Sequence, residues 1–155
     1  MNEIDNIDRK ILNELQLDGS ITNVELAKRV HLSPSPCLAR VRALEARKLI
    51  RSYVALLDPK QLGLHLNVFI SISLKQQSRK ALQAFEERLC VREEVMECYL
   101  MTGESDYLIR VAVADMPSLE RFILEQLSPI AQVEKIRSSF ALKQVRYKTA
   151  LPLDT

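Results

Sequence analysis

The stretch 31-HLSPSPCLARVRALEARKLIRSY-53 decides how the first third of this chain is read. Two prolines, Pro34 and Pro36, stand directly before a basic segment of helical composition. Proline in a helix interior costs about 3 kcal/mol, so both must fall where a helix has no use for their missing N–H groups. With Ser33 as N-cap, Pro34 takes the first helical position and Pro36 the third. The opening N–H groups of a helix have no internal partner, so no helical bond is lost. Cys37 is then the first residue expected to donate back to the Ser33 carbonyl, and the Ser33 hydroxyl is left with the Ser35 N–H. At about 3.6 residues per turn, Cys37, Leu38, Val41 and Leu44 share an apolar face. Pro36, Ala39, Arg40, Ala43 and Arg47 share the other.

Upstream, Ile4, Ile7, Ile11 and Leu15 recur at helical spacing as far as Asp18–Gly19. Thr22 or Asn23 then caps a short helix with Leu26, Ala27 and Val30 on one side. Two short helices joined by the "HLS" turn predict a helix-turn-helix. "LIRSYVALL" turns strand-like, as a wing or linker strand would, and "DPKQLGLH" (58–65) reads as a hinge.

Charge is distributed to match. Residues 1–52 hold nine Lys and Arg against seven Asp and Glu, whereas the rest of the chain is neutral. Ser33–Arg51 carries five basic residues against Glu45 alone, a patch that attracts a polyanion. Ser33, Ser35 and Pro36 at the helix start, with the open N–H groups there, suit phosphate oxygens. Arg40 and Arg47 are expected to project from the exposed face toward bases or phosphates, with Arg42 beside the central stripe against the backbone. Two half-sites read by a dimer follow from so small a module.

Beyond residue 65 the period changes. "LNVFISISL" alternates strictly, placing Leu66, Val68, Ile70, Ile72 and Leu74 on one face. A helix from Ser78, strands "EVMECYLM" and "YLIRVAVAD" about the turn "TGESD", a helix from Pro117 and a strand over 133–142 complete β-α-β-β-α-β. That order is the ferredoxin-like arrangement. The fold class is therefore α+β: a winged helix-turn-helix over 1–52, a linker strand and hinge over 53–65, and a ferredoxin-like domain over 66–155. One sheet face lacks helices and carries Phe69 with either Tyr99 or Leu100, which predicts self-association.

"LSPSPCLARVRALE" after "NVELAKRVH", then "SYVALLDP" and a "GxxDY" turn between the second and third strands, resembles the leucine-responsive regulator (Lrp/AsnC) family of transcription factors. The resemblance runs from about Ile4 to Val145. It implies an N-terminal domain that binds double-stranded DNA and a C-terminal domain that binds a free amino acid. It also implies a homodimer that assembles into a higher even oligomer, an octamer by that likeness. In "TGESDYL", Gly103 permits a tight turn whose bared N–H groups could cradle a carboxylate, while Glu104 and Asp106 suit an ammonium. A solvated hairpin turn is the plainer alternative. The resemblance favours an effector site of Leu100, Met101, Thr102, Gly103, Glu104, Asp106 and Tyr107, with Ser138, Ser139 and Phe140 from the facing chain. Met116 could add apolar lining, and leucine or methionine is the expected ligand. The chain departs from common family usage at Glu104–Ser105 and at Ser138–Ser139.

No Ser/His/Asp or Cys/His set and no phosphate loop is evident, so neither catalysis nor a cofactor is expected. Two histidines without metal-like neighbours predict no metal, and three cysteines without CxxC spacing predict reduced thiols in a cytoplasmic protein. No apolar run approaches the ~20 residues of a membrane span. The competing reading is an architectural DNA-binding protein without a small-molecule response.

Overall fold

The computed structural model describes residues 4–153. The chain forms two compact units, one from Met1–Leu56 with Val145–Thr155 and the other from Leu57–Gln144.

The first unit holds three helices: α1 (Asn6–Leu17), α2 (Asn23–Arg29) and α3 (Pro34–Ala46). Asp5 caps α1 by accepting from the Asp8 N–H at 2.7 Å, and Thr22 caps α2 through Glu25 N–H. Ile11, Leu26, Ala27, Val30, Cys37 and Leu44 form the core between them. The turn between α2 and α3 is built by His31 at φ 58°, with Leu32 N–H donating to Ala27 O and His31 N–H to Lys28 O. This is a Schellman motif, which closes α2 sharply and launches α3. Lys48, at φ 60°, ends α3 in the same way.

Cys37 N–H bonds the Ser33 carbonyl at 3.2 Å, as the proline spacing predicts. The Ser33 hydroxyl, however, makes no capping bond. Pro36 occupies the position whose N–H usually serves the cap, and the Ser35 N–H is not engaged in its place. Leu38 also differs from expectation, standing 37% exposed on the flank of α3. The expected linker strand does not form either. Residues 51–58 are irregular, and Val54, Leu56 and Leu57 are exposed with no strand to pair with among the described residues. The segment from Val145 groups with the helices: Gln16 accepts from Leu151 N–H at 2.6 Å and donates to its carbonyl at 3.2 Å.

The second unit is β1 (Leu66–Leu74), α4 (Arg79–Leu89), β2 (Val95–Leu100), β3 (Tyr107–Val113), α5 (Met116–Arg121) and β4 (Val133–Phe140). The sheet runs β2-β3-β1-β4, antiparallel throughout, which is the ferredoxin-like order. Val68, Ile70, Ile72 and Leu74 alternate on β1, and Tyr107, Ile109, Val111 and Val113 on β3. Together they bury one sheet face under Phe85, Leu89, Leu119, Phe122 and Leu127. The last helix starts at Met116, capped by Asp115, and widens after Arg121 into a π-helical stretch over Phe122–Leu127. The wider turn lets Phe122 and Leu127, five residues apart, both reach the core.

A bulge between Val95 and Glu97 resets the β2 register, so Tyr99 lies opposite Leu108 and Leu100 opposite Tyr107. Tyr99 therefore shares the helix-free face with Phe69, whose neighbours are Arg110 and Ser139. On that face Arg110 holds Glu97 through Nε and Nη2 at 2.9 and 2.7 Å.

Candidate DNA interface and effector turn

The exposed side of α3 is not the one its arginines suggested. Opposite the buried stripe of Cys37, Val41 and Leu44 stand Ser35, Ala39, Arg42, Ala43 and Ala46, all exposed. Arg40 and Arg47 lie on the flank and turn back toward α1. One Arg40 nitrogen, Nη1, is 2.6 Å from Asp5 Oδ2 and 2.8 Å from Asp8 Oδ1, while Arg47 is 4.0 Å from the other Asp8 oxygen. Asp8 is the buried charged residue of this unit, at 8% exposure. A carboxylate in such a place requires partners, and two arginines seven residues apart on one edge of α3 supply them. The Asp8 N–H and then Arg40 hold the Asp5 carboxyl below the usual range, and the two carboxylates raise Arg40 further. Arg42, by contrast, has no carboxylate partner among the described residues and becomes the long cationic side chain of the outward face.

The start of α3 is also poorer in donors than expected. Pro34 and Pro36 have no N–H and the Cys37 N–H is bonded, so of the first four positions Ser35 alone keeps an open backbone donor. Ser33, Ser35 and Pro36 are exposed there. Asn23 on α2 donates to the Pro34 carbonyl at 2.8 Å and fixes the two helices at that corner.

The turn after β2 is exposed, with Gly103 at φ 124° and open space where a Cβ would stand. A side chain is strained at that φ, so glycine is required by backbone conformation rather than by crowding. Glu104 is nearly fully exposed, and its carboxylate lies 3.7 Å from Arg137 of β4. Leu100 and Met101 are also exposed.

Two expected effector residues are used otherwise. Asp106 accepts from the Leu74 N–H at 2.6 Å and from Gln77 Nε2 at 3.4 Å, closing the end of β1 against β3. Tyr107 is 1% exposed, stacks beside Phe85 with centroids 4.7 Å apart, and donates to Glu86 Oε1 at 2.6 Å. Burial, then the bond to Glu86, pushes its hydroxyl pKa up. Register explains both placements, because Tyr107 begins the inward set of β3 and Asp106 must close the hairpin base before it.

Nor does one chain gather all the remaining candidates. Asp106 N–H bonds Ile72 O, whereas Phe140 pairs with Val68. Four strand residues, about 13 Å, separate those levels. Ser139 lies on the helix-free face, while Ser138 and Phe140 line an open apolar groove of about 470 Å³ beside Met116, Ile123 and Leu124.

Comparison with known proteins places both regions. Residues 4–51 match a winged helix-turn-helix DNA-binding family model, and residues 67–151 match the Lrp/AsnC ligand binding domain. The leucine-responsive regulatory protein of Escherichia coli K12 is 41% identical over 153 residues, covering 99% of this chain and 93% of the relative. The chain belongs to the Lrp/AsnC family. Its members are DNA-binding transcriptional regulators with an amino-acid ligand-binding domain. Among solved Lrp/AsnC structures, a Neisseria meningitidis transcriptional regulator in complex with L-methionine is 41% identical with a TM-score of 0.93, covering 97% of each chain. A feast or famine regulatory protein from M. tuberculosis, complexed with L-methionine, is 34% identical with a TM-score of 0.85, covering 96% of this chain and 99% of that one.

Three residues outside the expected sites pair with members of them in this Lrp/AsnC chain: Asp5, Asp8 and Arg137. Asp5 and Asp8 were signalled by their own spacing, since a capping Asp followed at the third position by another puts two carboxylates on one helix start. Arg137 had no local signal, because its relation to Glu104 depends on the crossover that brings β4 beside β1. No helix among the described residues is long and apolar enough to cross a membrane.

Proposed function

We propose that this Lrp/AsnC regulator binds a free aliphatic amino acid, L-methionine or L-leucine, at the Thr102–Glu104 turn, and that occupancy alters its action on duplex DNA. The observation that supports this best is full-length likeness to a regulator solved with L-methionine. The likeness to leucine-responsive proteins keeps leucine beside it. The chemistry of the turn agrees. Glu104 and Arg137 form an exposed pair of opposite charge 3.7 Å apart, suited to the ammonium and carboxylate of a zwitterion. Backbone N–H groups about Gly103 add carboxylate donors, and Leu100 and Met101 add apolar surface. Ser138, Ser139 and Phe140 act from a facing copy, as the family likeness implies, and Phe140 of the same chain lies four strand residues from the level of the turn. Asp106 shapes the turn from behind and Tyr107 anchors it to the core.

On the DNA side, Ser35 and Arg42 make direct contacts, Ser33 and Pro36 lie against the backbone, and Arg40 and Arg47 orient α3 through Asp5 and Asp8. The DNA-binding part is 1–52, joined by the returning segment from Val145, with the connector over 53–65 and the effector part over 66–144. A homodimer forms over the helix-free face bearing Phe69 and Tyr99, and dimers assemble into an even oligomer, an octamer by family likeness. The protein acts in the cytoplasm, where its DNA is, by binding and without catalysis.

The test is a thermal-shift panel of all twenty amino acids on the full chain, followed by DNA binding with and without the hits. A ligand at 100 times its Kd adds about 2.7 kcal/mol, on the order of several degrees for a unit of this size. A shift confined to methionine or leucine supports the reading. No shift with any amino acid, together with ligand-independent DNA binding, replaces it with the architectural alternative.

A further inference from the structure

We infer that α3 reads its DNA chiefly through thymine methyl groups, met by Ala39 and Ala43, with Arg42 as its one long polar reader. The inference rests on the DNA-binding reading above and specifies what that surface recognises. Of the three arginines in or at the end of α3, Arg40 and Arg47 are turned to Asp5 and Asp8. The helix itself, PSPCLARVRALEA, contains no Asn and no Gln, so the bidentate amide pairing that selects adenine is unavailable from it. It has no Lys or His either, and Glu45 is half-buried and accepts from the Tyr53 hydroxyl at 3.0 Å. The opening turn offers one free backbone donor, at Ser35.

What remains outward is Ser35, Ala39, Arg42, Ala43 and Ala46, with Leu38 on the flank. Short side chains let the helix backbone come close to the floor of a groove. In the major groove the apolar feature of a base edge is the C5-methyl of thymine, and alanine is among the side chains that meet it. Ala39 and Ala43 are one helical turn apart, about 6 Å along the axis. That is on the order of two base steps, so methyls about two pairs apart fall within one approach. Arg42 lies between them in sequence and can take a guanine edge or a phosphate on the same side.

The experiment selects duplexes from a random-sequence pool with the wild-type full chain, then replaces each thymine of the tightest duplex by uracil, one at a time. Uracil removes the methyl and leaves the hydrogen-bonding pattern intact. The expected result is a loss of roughly threefold to fivefold at one or two positions per half-site, the worth of one buried methyl, with no effect elsewhere. Ala39→Ser should bind the parent duplex more weakly and lose its sensitivity to uracil at one of those positions, while melting as the wild type does. An enriched duplex indifferent to uracil at every position overturns this inference and leaves DNA binding standing. A pool that yields no enriched duplex overturns the sequence-reading function itself, and this inference with it.

Discussion

Asp8→Ala, Arg40→Ala and the double variant form a cycle that measures how firmly α1 holds α3. The Asp8 side chain is 12% exposed and that of Arg40 34%, with 2.8 Å between Oδ1 and Nη1. A fully buried pair broken on one side costs about 3–5 kcal/mol, and an exposed pair is worth about 0.2–1 kcal/mol. This pair lies between those limits. Asp8→Ala strands neither arginine in a dry interior, because Arg40 keeps Asp5 at 2.6 Å and remains one-third solvated. Arg40→Ala leaves Asp8 with Arg47 at 4.0 Å. Each single change should therefore cost about 1.5–2 kcal/mol, near the lower end for a hydrogen bond to a charged group. The coupling should be about 1 kcal/mol. The assay is urea unfolding of the four full-length proteins followed by far-ultraviolet circular dichroism, with the transition of the helical unit fitted separately. In a unit of this size 1 kcal/mol moves the melting temperature by about 4–8 °C, which gives an independent reading. A coupling below about 0.3 kcal/mol, the range of unconnected sites, would refute the bridge. DNA binding by the same proteins separates orientation from contact. Arg42→Ala should weaken binding, by about 1–3 kcal/mol where the guanidinium holds a guanine edge and with a slope of log K against log salt lower by about 0.9 where it holds a phosphate, whereas Arg40→Ala should weaken binding at nearly unchanged slope.

Three further outcomes are expected. His31→Gly relieves a non-glycine residue held at φ 58° in the α2–α3 turn. It should stabilise the helical unit by about 0.5 kcal/mol after glycine's greater unfolded freedom is subtracted, and an unchanged or lower melting temperature would argue against strain there. Thiol labelling at pH 8 should find Cys90, which is exposed, reacting first. Cys37 is buried and Cys98 is raised to about 12 by burial and then by Cys90, so mass spectrometry of the native protein should show single labelling before any second adduct. Acid should loosen both units. Asp5 is depressed by the Asp8 N–H and then Arg40, and Glu97 by Arg110. A depressed carboxyl stabilises fully above its unfolded pKa of about 4 and loses that contribution as pH falls through the folded value. Stability should thus hold from neutral pH to about 5 and drop below 4, and Glu97→Gln should flatten the part due to the sheet.

The elements are legible in the sequence where a local period governs the outcome. The alternation Val68, Ile70, Ile72, Leu74 allows one buried face, and Ser33–Pro34–Ser35–Pro36 allows a helix to begin at one place. Order of elements then follows from chain order, and with it the ferredoxin-like sheet and the helix-turn-helix. The resemblance to Lrp/AsnC proteins rested on the same local stretches. Site residues were legible only as neighbourhoods. The Gly103 turn and the start of α3 are exposed, as their composition suggests, whereas Asp106 closes a hairpin and Tyr107 belongs to the core.

The difference has a physical reason. A helix or strand period fixes the angle at which a side chain leaves the backbone, and short side chains such as Ala39 go where that angle sends them. Arginine does not, because its long stem lets the guanidinium seek a carboxylate several ångströms aside. Arg40 and Arg47 were therefore decided by Asp5 and Asp8, which only the packing of α1 on α3 brings near. Strand faces are likewise fixed until a bulge intervenes, and the one between Val95 and Glu97 chose Tyr99 over Leu100 for the open face. The sequence by itself determined which segments form which elements and in what order. Tertiary structure alone decided which charges meet, because that depends on residues distant in the chain and adjacent in space.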